Sequence, residues 1–279
     1  MTSRLAQTAS HLINQIPGRS LTNTMSRQSN ITLYTDSTPN GIKISIALDE
    51  LGLDYKLEHI DISTNKQKEQ WFLDINPNGR IPALTDTFSD GNTIRLFEGG
   101  SILQYLAEQY DPDHKISFPQ GSREYYEANN WLFFQHGGLG PMQGQANHFV
   151  RYAPEKIQYG IDRYINETRR LYRTLDTHLK KRKEEGDKSG FLVGDHISIA
   201  DITTFGWVYW AGWAGVNVDE FAELKKWENL LTKRPGVESG MNKPKKLDIK
   251  EKLKDPDWME KYGKKASSWI QQGMKDDKQ

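Results

Sequence analysis

Residues 34–44, YTDSTPNGIKI, pass from one kind of backbone to another within a single short stretch. The run Ile31–Thr35 reads as a strand, and Ile42–Leu51, closed by Gly52, reads as a helix. Between them stand Thr38, Pro39, Asn40 and Gly41: a hydroxyl, a proline, a carboxamide and a glycine. These are helix-start residues, because side-chain oxygens satisfy free amides there and proline suits the first turn. The same free amides, with the positive end of the helix dipole, favour an anion, to which Thr38 and Asn40 are placed to donate. Alone, the stretch fits a plain cap or an anion site.

Outward from it, short elements alternate. YKLEHIDI (55–62) reads as a second strand, and STNKQKEQWFLDI (63–75) contains a short helix. After the turn residues Asn76-Pro77-Asn78-Gly79 come IPALTD and TIRLFE, two strands joined at Asp90-Gly91. SILQYLAEQYD (101–111) then supplies a helix with Ile102, Leu103, Leu106, Ala107 and Tyr110 on one side. This order calls for a small mixed sheet with helices on its faces.

Beyond a Pro/Gly linker at 112–122 the periodicity is helical: about 124–149, 155–185, 199–214 and 221–232. In ISIADI (197–202), Ser198 reads as an N-cap with Asp201 closing a capping box, and Ile197 with Ile202 as a hydrophobic staple. That motif is structural. The expected layout is a leader 1–29, an α/β domain 30–112, an all-helical domain 121–236 and an extension 237–279. The leader holds Arg4, Arg19 and Arg27 and no acidic residue, and reads as a mitochondrial presequence or a disordered polar leader. Cytoplasmic residence, with a mitochondrial alternative, is the matching expectation. The lysine-rich tail from Asn242 onward reads as solvated or docked on the surface.

Composition narrows the chemistry. Hydrophobic residues make up 36% of the 279, enough for a sizeable core, and no apolar run approaches a membrane span. Thirty-seven basic residues balance thirty-seven acidic ones, so no net field draws nucleic acid or an anionic membrane. There is no cysteine, which excludes disulfides, thiolate metal sites and a cysteine nucleophile. The seven histidines are scattered without metal-ligand spacing, so no metal is expected.

Thr38-Pro39-Asn40-Gly41, NPNGRIPAL (76–84) and FEGGSILQYLAEQYD (97–111) together resemble the glutathione transferase family, nearest its fungal nitrogen-catabolite-repressor-like and bacterial nu-class branch. NNWLFFQHGGLGPMQGQANHF (129–149) and GIDRYINETRRLY (160–172) carry the likeness into the second half, which then covers about 31–236. The resemblance implies a thioredoxin-like N-terminal domain before an all-α domain, glutathione as co-substrate and a homodimer. It implies that Pro82 is a cis-proline turning the Ile81 backbone toward the ligand's cysteinyl unit. Glu98 would hold the ligand's α-amino group. Gln67 and Arg80 match positions near its glycyl end. Where relatives carry serine for the α-carboxylate, this chain has Gly99. The amide survives, but a side-chain hydrogen bond of about 1–2 kcal/mol is gone, a roughly five- to thirty-fold loss of affinity that Ser101 is poorly placed to replace. Restoring serine is expected to tighten binding.

No tyrosine or serine stands at the family's usual activating place, and the resemblance implies that Asn40 first and Thr38 second, with the first amides of the helix, keep the ligand's sulfur as thiolate by electrostatic preorganisation rather than as bases. Tyr34, inside the strand, reads as packing. A hydrophobic electrophile or peroxide would bind against Phe134, Met142, Trp207 and Trp210. The expected function is thiolate conjugation to electrophiles or glutathione-dependent reduction of peroxides or disulfides. The alternative is a regulatory binding protein that kept the fold.

Overall fold

The computed structural model describes residues 29–276. The leader reading falls, apart from Ser29, outside the described residues. Four strands form one mixed sheet in the order β2-β1-β3-β4: β1 (Thr32–Thr35), β2 (Lys56–His59), β3 (Ala83–Thr87) and β4 (Thr93–Phe97). β1 runs parallel to β2 and antiparallel to β3, and β3 is antiparallel to β4. Helix α1 (Gly41–Leu51) is the crossover between the parallel pair, and α2 (Gln70–Leu73) is a single turn. Helix α3 (Gly99–Tyr110) follows β4. This is the thioredoxin-like arrangement, and an all-helical unit follows it.

Nine of the eleven α1 residues are buried, Lys43 and Ser45 among them. An amphipathic surface helix hides one stripe, so burial all round means packing on every side. The sheet and α3 cover one side of α1. The other side meets α7 (Ile199–Tyr209) and α9 (Pro235–Met241) of the helical half. Only glycine permits the α9 crossing: a Cβ at Gly240 would stand 2.4 Å from Ile46 Cα. There the Ser45 hydroxyl donates to the Gly240 carbonyl at 2.7 Å. Arg234 forms a two-pronged ion pair with Glu50 (3.0 and 2.7 Å), and Lys243 reaches Asp49 at 2.7 Å. Helix α9 is therefore a core element, and the lysine-rich tail from Asn242 starts directly after it. The main apolar cluster is correspondingly continuous from Leu33 and Ile46 to Phe205 and Val237.

The linker is tied down rather than loose. Buried Asp111 accepts from Lys115 N–H, Ile116 N–H and the Ser117 hydroxyl. The stretch expected as one helix from 124 is α4 (Arg123–Phe134) and α5 (Gly140–Asn147), with π-helical turns at Gln135–Leu139 and His148–Tyr152. Pro141 explains the first π turn: without an N–H it cannot join the regular ladder, and the wider turn before it takes up the mismatch. α6 (Gln158–Glu184) and α8 (Ala222–Thr232) match the expected periods, whereas the helix expected over 199–214 ends as α7 at Tyr209 and is followed by a 3-10 turn at Ala211–Ala214. The Ser198/Asp201 capping box is present at the start of α7. Asp201 also accepts from Leu192 N–H (2.9 Å) and the Trp227 indole (2.8 Å), so a fully buried carboxylate is compensated on several sides.

After the single turn α10 (Ile249–Lys252), α11 (Pro256–Asp276) packs on the second π turn and on the 3-10 turn Ile62–Thr64 of the α/β domain. Its Trp258 and Tyr262 stack 4.6 Å apart, and both meet Trp213. Ser267 and Gln271 side chains donate to the Tyr152 carbonyl. Among the described residues no helix is long and apolar enough to cross a membrane.

Candidate functional site

Strand register gathers the sequence motifs. Tyr34 pairs with Ala83, and Ala83 with Phe97, so one row across the sheet ends β1, begins β3 and ends β4. Residues 36–40, 81–82 and 98–100 therefore leave the sheet at the same edge. Thr35 pairs with His59, which brings the segment leading to Gln67 to that edge as well.

At the α1 opening, Gly41 N–H donates to the Thr38 hydroxyl (3.0 Å) and Ile42 N–H to the Thr38 carbonyl (3.0 Å). Thr38 is thus the residue that caps the helix, and its hydroxyl hydrogen stays available because the oxygen is the acceptor. Asn40 has helical dihedrals, makes no cap and is exposed. Its Oδ1 accepts from the Trp207 indole N–H at 3.1 Å, and its carboxamide N–H groups donate to nothing among the described residues. Gly41 is obligatory, since a Cβ would lie 2.0 Å from the Asp36 carbonyl oxygen.

The Ile81–Pro82 peptide is cis. Ile81 lies outside the paired part of β3, and its backbone has no hydrogen bond among the described residues. The turn before it is fastened by Asn76, whose side chain donates to the Arg80 carbonyl at 2.6 Å and accepts from Asn78 N–H at 2.9 Å. Arg80 is exposed. Gln67 is buried, its carbonyl oxygen facing Gly79 and its Oε1 without a partner. Glu98 is exposed, has φ 66° and touches Asn78 Nδ2 at 3.4 Å. A left-handed glutamate costs about 1–3 kcal/mol, strain of the kind that collects at functional sites. Tyr34 packs against Trp71 and Phe72 with ring centroids 6.3 and 6.2 Å away, as expected for a packing residue.

Two groups here escaped the sequence reading. Lys43, 1% exposed, donates to Gln135 Oε1 at 2.8 Å, an atom that also accepts from the Thr203 hydroxyl at 2.6 Å. Burial lowers its pKa to about 7 against the opposing pull of Glu98. His136 gives its Nδ1 proton to the Leu132 carbonyl (2.9 Å), leaving Nε2 buried and unpaired. Burial, then the neighbouring Lys43 charge, lower its pKa to about 4. Both border Gly99: a Cβ there would sit 2.9 Å from Lys43 Cδ and 3.4 Å from His136 Nε2. Lys43 thus takes part of the space a serine would need. The one signal in the sequence was a cation in the first turn of α1, set among Ile42, Ile44 and Ile46, where the dipole disfavours it.

The arrangement offers an anion the open end of α1 with two polar side chains. It offers an extended ligand a free strand-like edge at Ile81, and an ammonium and a carboxylate their partners around Glu98 and the α3 opening. The family model of the glutathione S-transferase N-terminal domain matches residues 29–108, and that of the C-terminal domain residues 147–235. The chain belongs to the glutathione transferase family. It is 40% identical over 220 residues to the glutathione S-transferase-like protein tpcF of Aspergillus fumigatus, covering 76% of this chain and 94% of that one. It is 39% identical to the disulfide-bond oxidoreductase YfcG of Escherichia coli, covering 74% and 92%. A glutathione transferase homolog from Lodderomyces elongisporus, solved with two GSH per subunit, superposes with a TM-score of 0.73 at 46% identity, covering 77% of this chain and 99% of that one.

Proposed function

We propose that this chain binds glutathione across the 36–40, 81–82 and 98–100 loops and holds its sulfur as thiolate at the α1 opening. The thiolate then attacks a hydrophobic electrophile, or a peroxide or disulfide. The observation that carries the reading is the α1 opening itself. Asn40 presents free N–H groups there beside the Thr38 hydroxyl, in a chain with no sulfur nucleophile of its own. Ile81 would pair with the cysteinyl backbone, Glu98 with the α-amino group, and the Gly99 and Gly100 amides with the α-carboxylate. Gln67 and Arg80 would lie toward the glycyl end.

Reduction of a disulfide balances without protein thiols. One glutathione thiolate attacks a substrate sulfur, the displaced thiolate takes up a proton, and a second glutathione closes glutathione disulfide with release of the other substrate thiol. The two GSH per subunit in the Lodderomyces relative and the naming of YfcG as a disulfide-bond oxidoreductase support this arm. Phe134 and Met142 of the helical half, both half-buried, would face an apolar co-substrate, whereas Trp210 packs inside the core. Exposed Phe97, Tyr126 and Phe133 (38%, 61% and 66%) on β4 and α4 support a homodimer through this side.

The test is turnover with glutathione against a panel of electrophile, hydroperoxide and disulfide substrates. At least one class should turn over, and Asn40→Ala should lower kcat at least tenfold while shifting glutathione affinity less. Retention on immobilised glutathione with no turnover of any class would favour the second reading, a regulatory binding protein, which Gly99 supports by weakening the carboxylate grip.

A further inference from the structure

Trp207, expected to wall the electrophile pocket, does something more specific. Its indole is 8% exposed and lies on α5, where a Cβ at Gly140 would come within 3.3 Å of its Cε2 and one at Gly144 within 3.6 Å of its Cη2. Those glycines form a flat seat. The Trp207 carbonyl accepts from Gln143 Nε2 at 2.7 Å, and the Gln143 Oε1 is in turn held by the buried Tyr172 hydroxyl at 2.8 Å. One residue earlier, a Cβ at Gly206 would stand 2.5 Å from the Pro39 carbonyl oxygen, so α7 abuts the loop that carries Asn40. From this anchored position the indole N–H meets Asn40 Oδ1 at 3.1 Å.

An indole N–H only donates, so it selects which end of the carboxamide it meets. The oxygen faces Trp207, and the NH2 is turned the other way. An exposed asparagine otherwise flips between two nearly equivalent orientations, one of which would aim a carbonyl oxygen at an anion. We infer that Trp207 is a positioning residue: from the helical half it locks the Asn40 carboxamide with its N–H groups toward the site of the sulfur. The inference rests on the proposed role of Asn40. It assigns the stabilisation of the thiolate to both halves of the chain, because preorganised dipoles are worth most when they need not reorient.

The test uses the full chain with glutathione bound, following the thiolate's ultraviolet absorption through a pH titration. Trp207→Phe keeps a ring on the glycine seat and removes the N–H. It should raise the bound thiol's pKa by about one unit, a tenfold loss of thiolate at a given pH on the acid side, and lower kcat with KM little changed. In an Asn40→Ala background the same substitution should add nothing. Equal effects in both backgrounds, or no shift in either, overturn the inference, since a purely structural tryptophan would act independently of Asn40. Should Trp207→Phe not fold, the Trp207 indole N–H resonance of the native chain decides: an upfield move in Asn40→Ala supports the contact, and an unchanged signal overturns it. Bound glutathione that is already a thiol at pH 7 in the native chain would fell the proposed function itself. A thiolate that survives Trp207→Phe fells only the positioning role.

Discussion

Lys43 is a buried cation whose placement costs the chain stability. Its ammonium is buried in the first turn of α1 with the Gln135 carboxamide oxygen as partner and Glu98 as an opposing charge. The unfolded side chain titrates at 10.5 and the folded one at about 7, so between those values the unfolded state holds more protons. Stability from this residue is therefore full above pH 10.5 and lost as pH falls toward 7. Neutral His136 adds no charge above its own low pKa. Lys43→Met should accordingly be more stable than the native chain at pH 7, by on the order of a few kcal/mol, with the advantage shrinking toward pH 10. Urea denaturation at both pH values measures it. Gly99→Ser belongs to the same locus. Sequence reasoning expects tighter glutathione binding, but the new Cβ would lie 2.9 Å from Lys43 Cδ. The substitution should cost about 1–2 kcal/mol alone and much less in a Lys43→Ala background, read as a double-mutant cycle.

Among the elements, α1 and α9 make the tightest crossing. A Gly240→Ala methyl would point at Ile46 Cα from 2.4 Å, with backbone on the far side that cannot swing away. It should destabilise by about 2–4 kcal/mol and lower the thermal midpoint. The motif-bearing elements were legible in the sequence because each announces itself locally: Thr38 to Gly41 by cap chemistry, Asn76 to Gly79 by turn residues, Ser198 and Asp201 by spacing. Their convergence on one sheet edge was not, since it comes from the register Tyr34–Ala83–Phe97 and enters a reading only through family resemblance. Lys43, His136 and the role of Trp207 were hidden for a related reason. Each owes its environment to a partner far along the chain: Gln135 for Lys43, the α3 opening for His136, Asn40 for Trp207. The two π turns were equally invisible, because they widen a helix without changing its apolar pattern.

Across the whole molecule, α11 clips the two halves together. Trp213 is 1% exposed beneath Trp258 and Tyr262. Ending the chain at Asp255 should red-shift tryptophan emission, lower the thermal midpoint and make the turn at Ile62–Thr64 more open to proteolysis, all measurable on one preparation. The same architecture sets an order of events in the cell. Helix α1 is made early, but two of its walls, α7 and α9, are supplied by residues 199–209 and 235–241. At ribosomal speeds, about 5–20 residues per second, the span from residue 112 to residue 241 takes on the order of ten seconds to synthesise. Throughout that interval the nascent α/β half carries an uncovered apolar helix, so the part of the chain translated first is among the last to be finished.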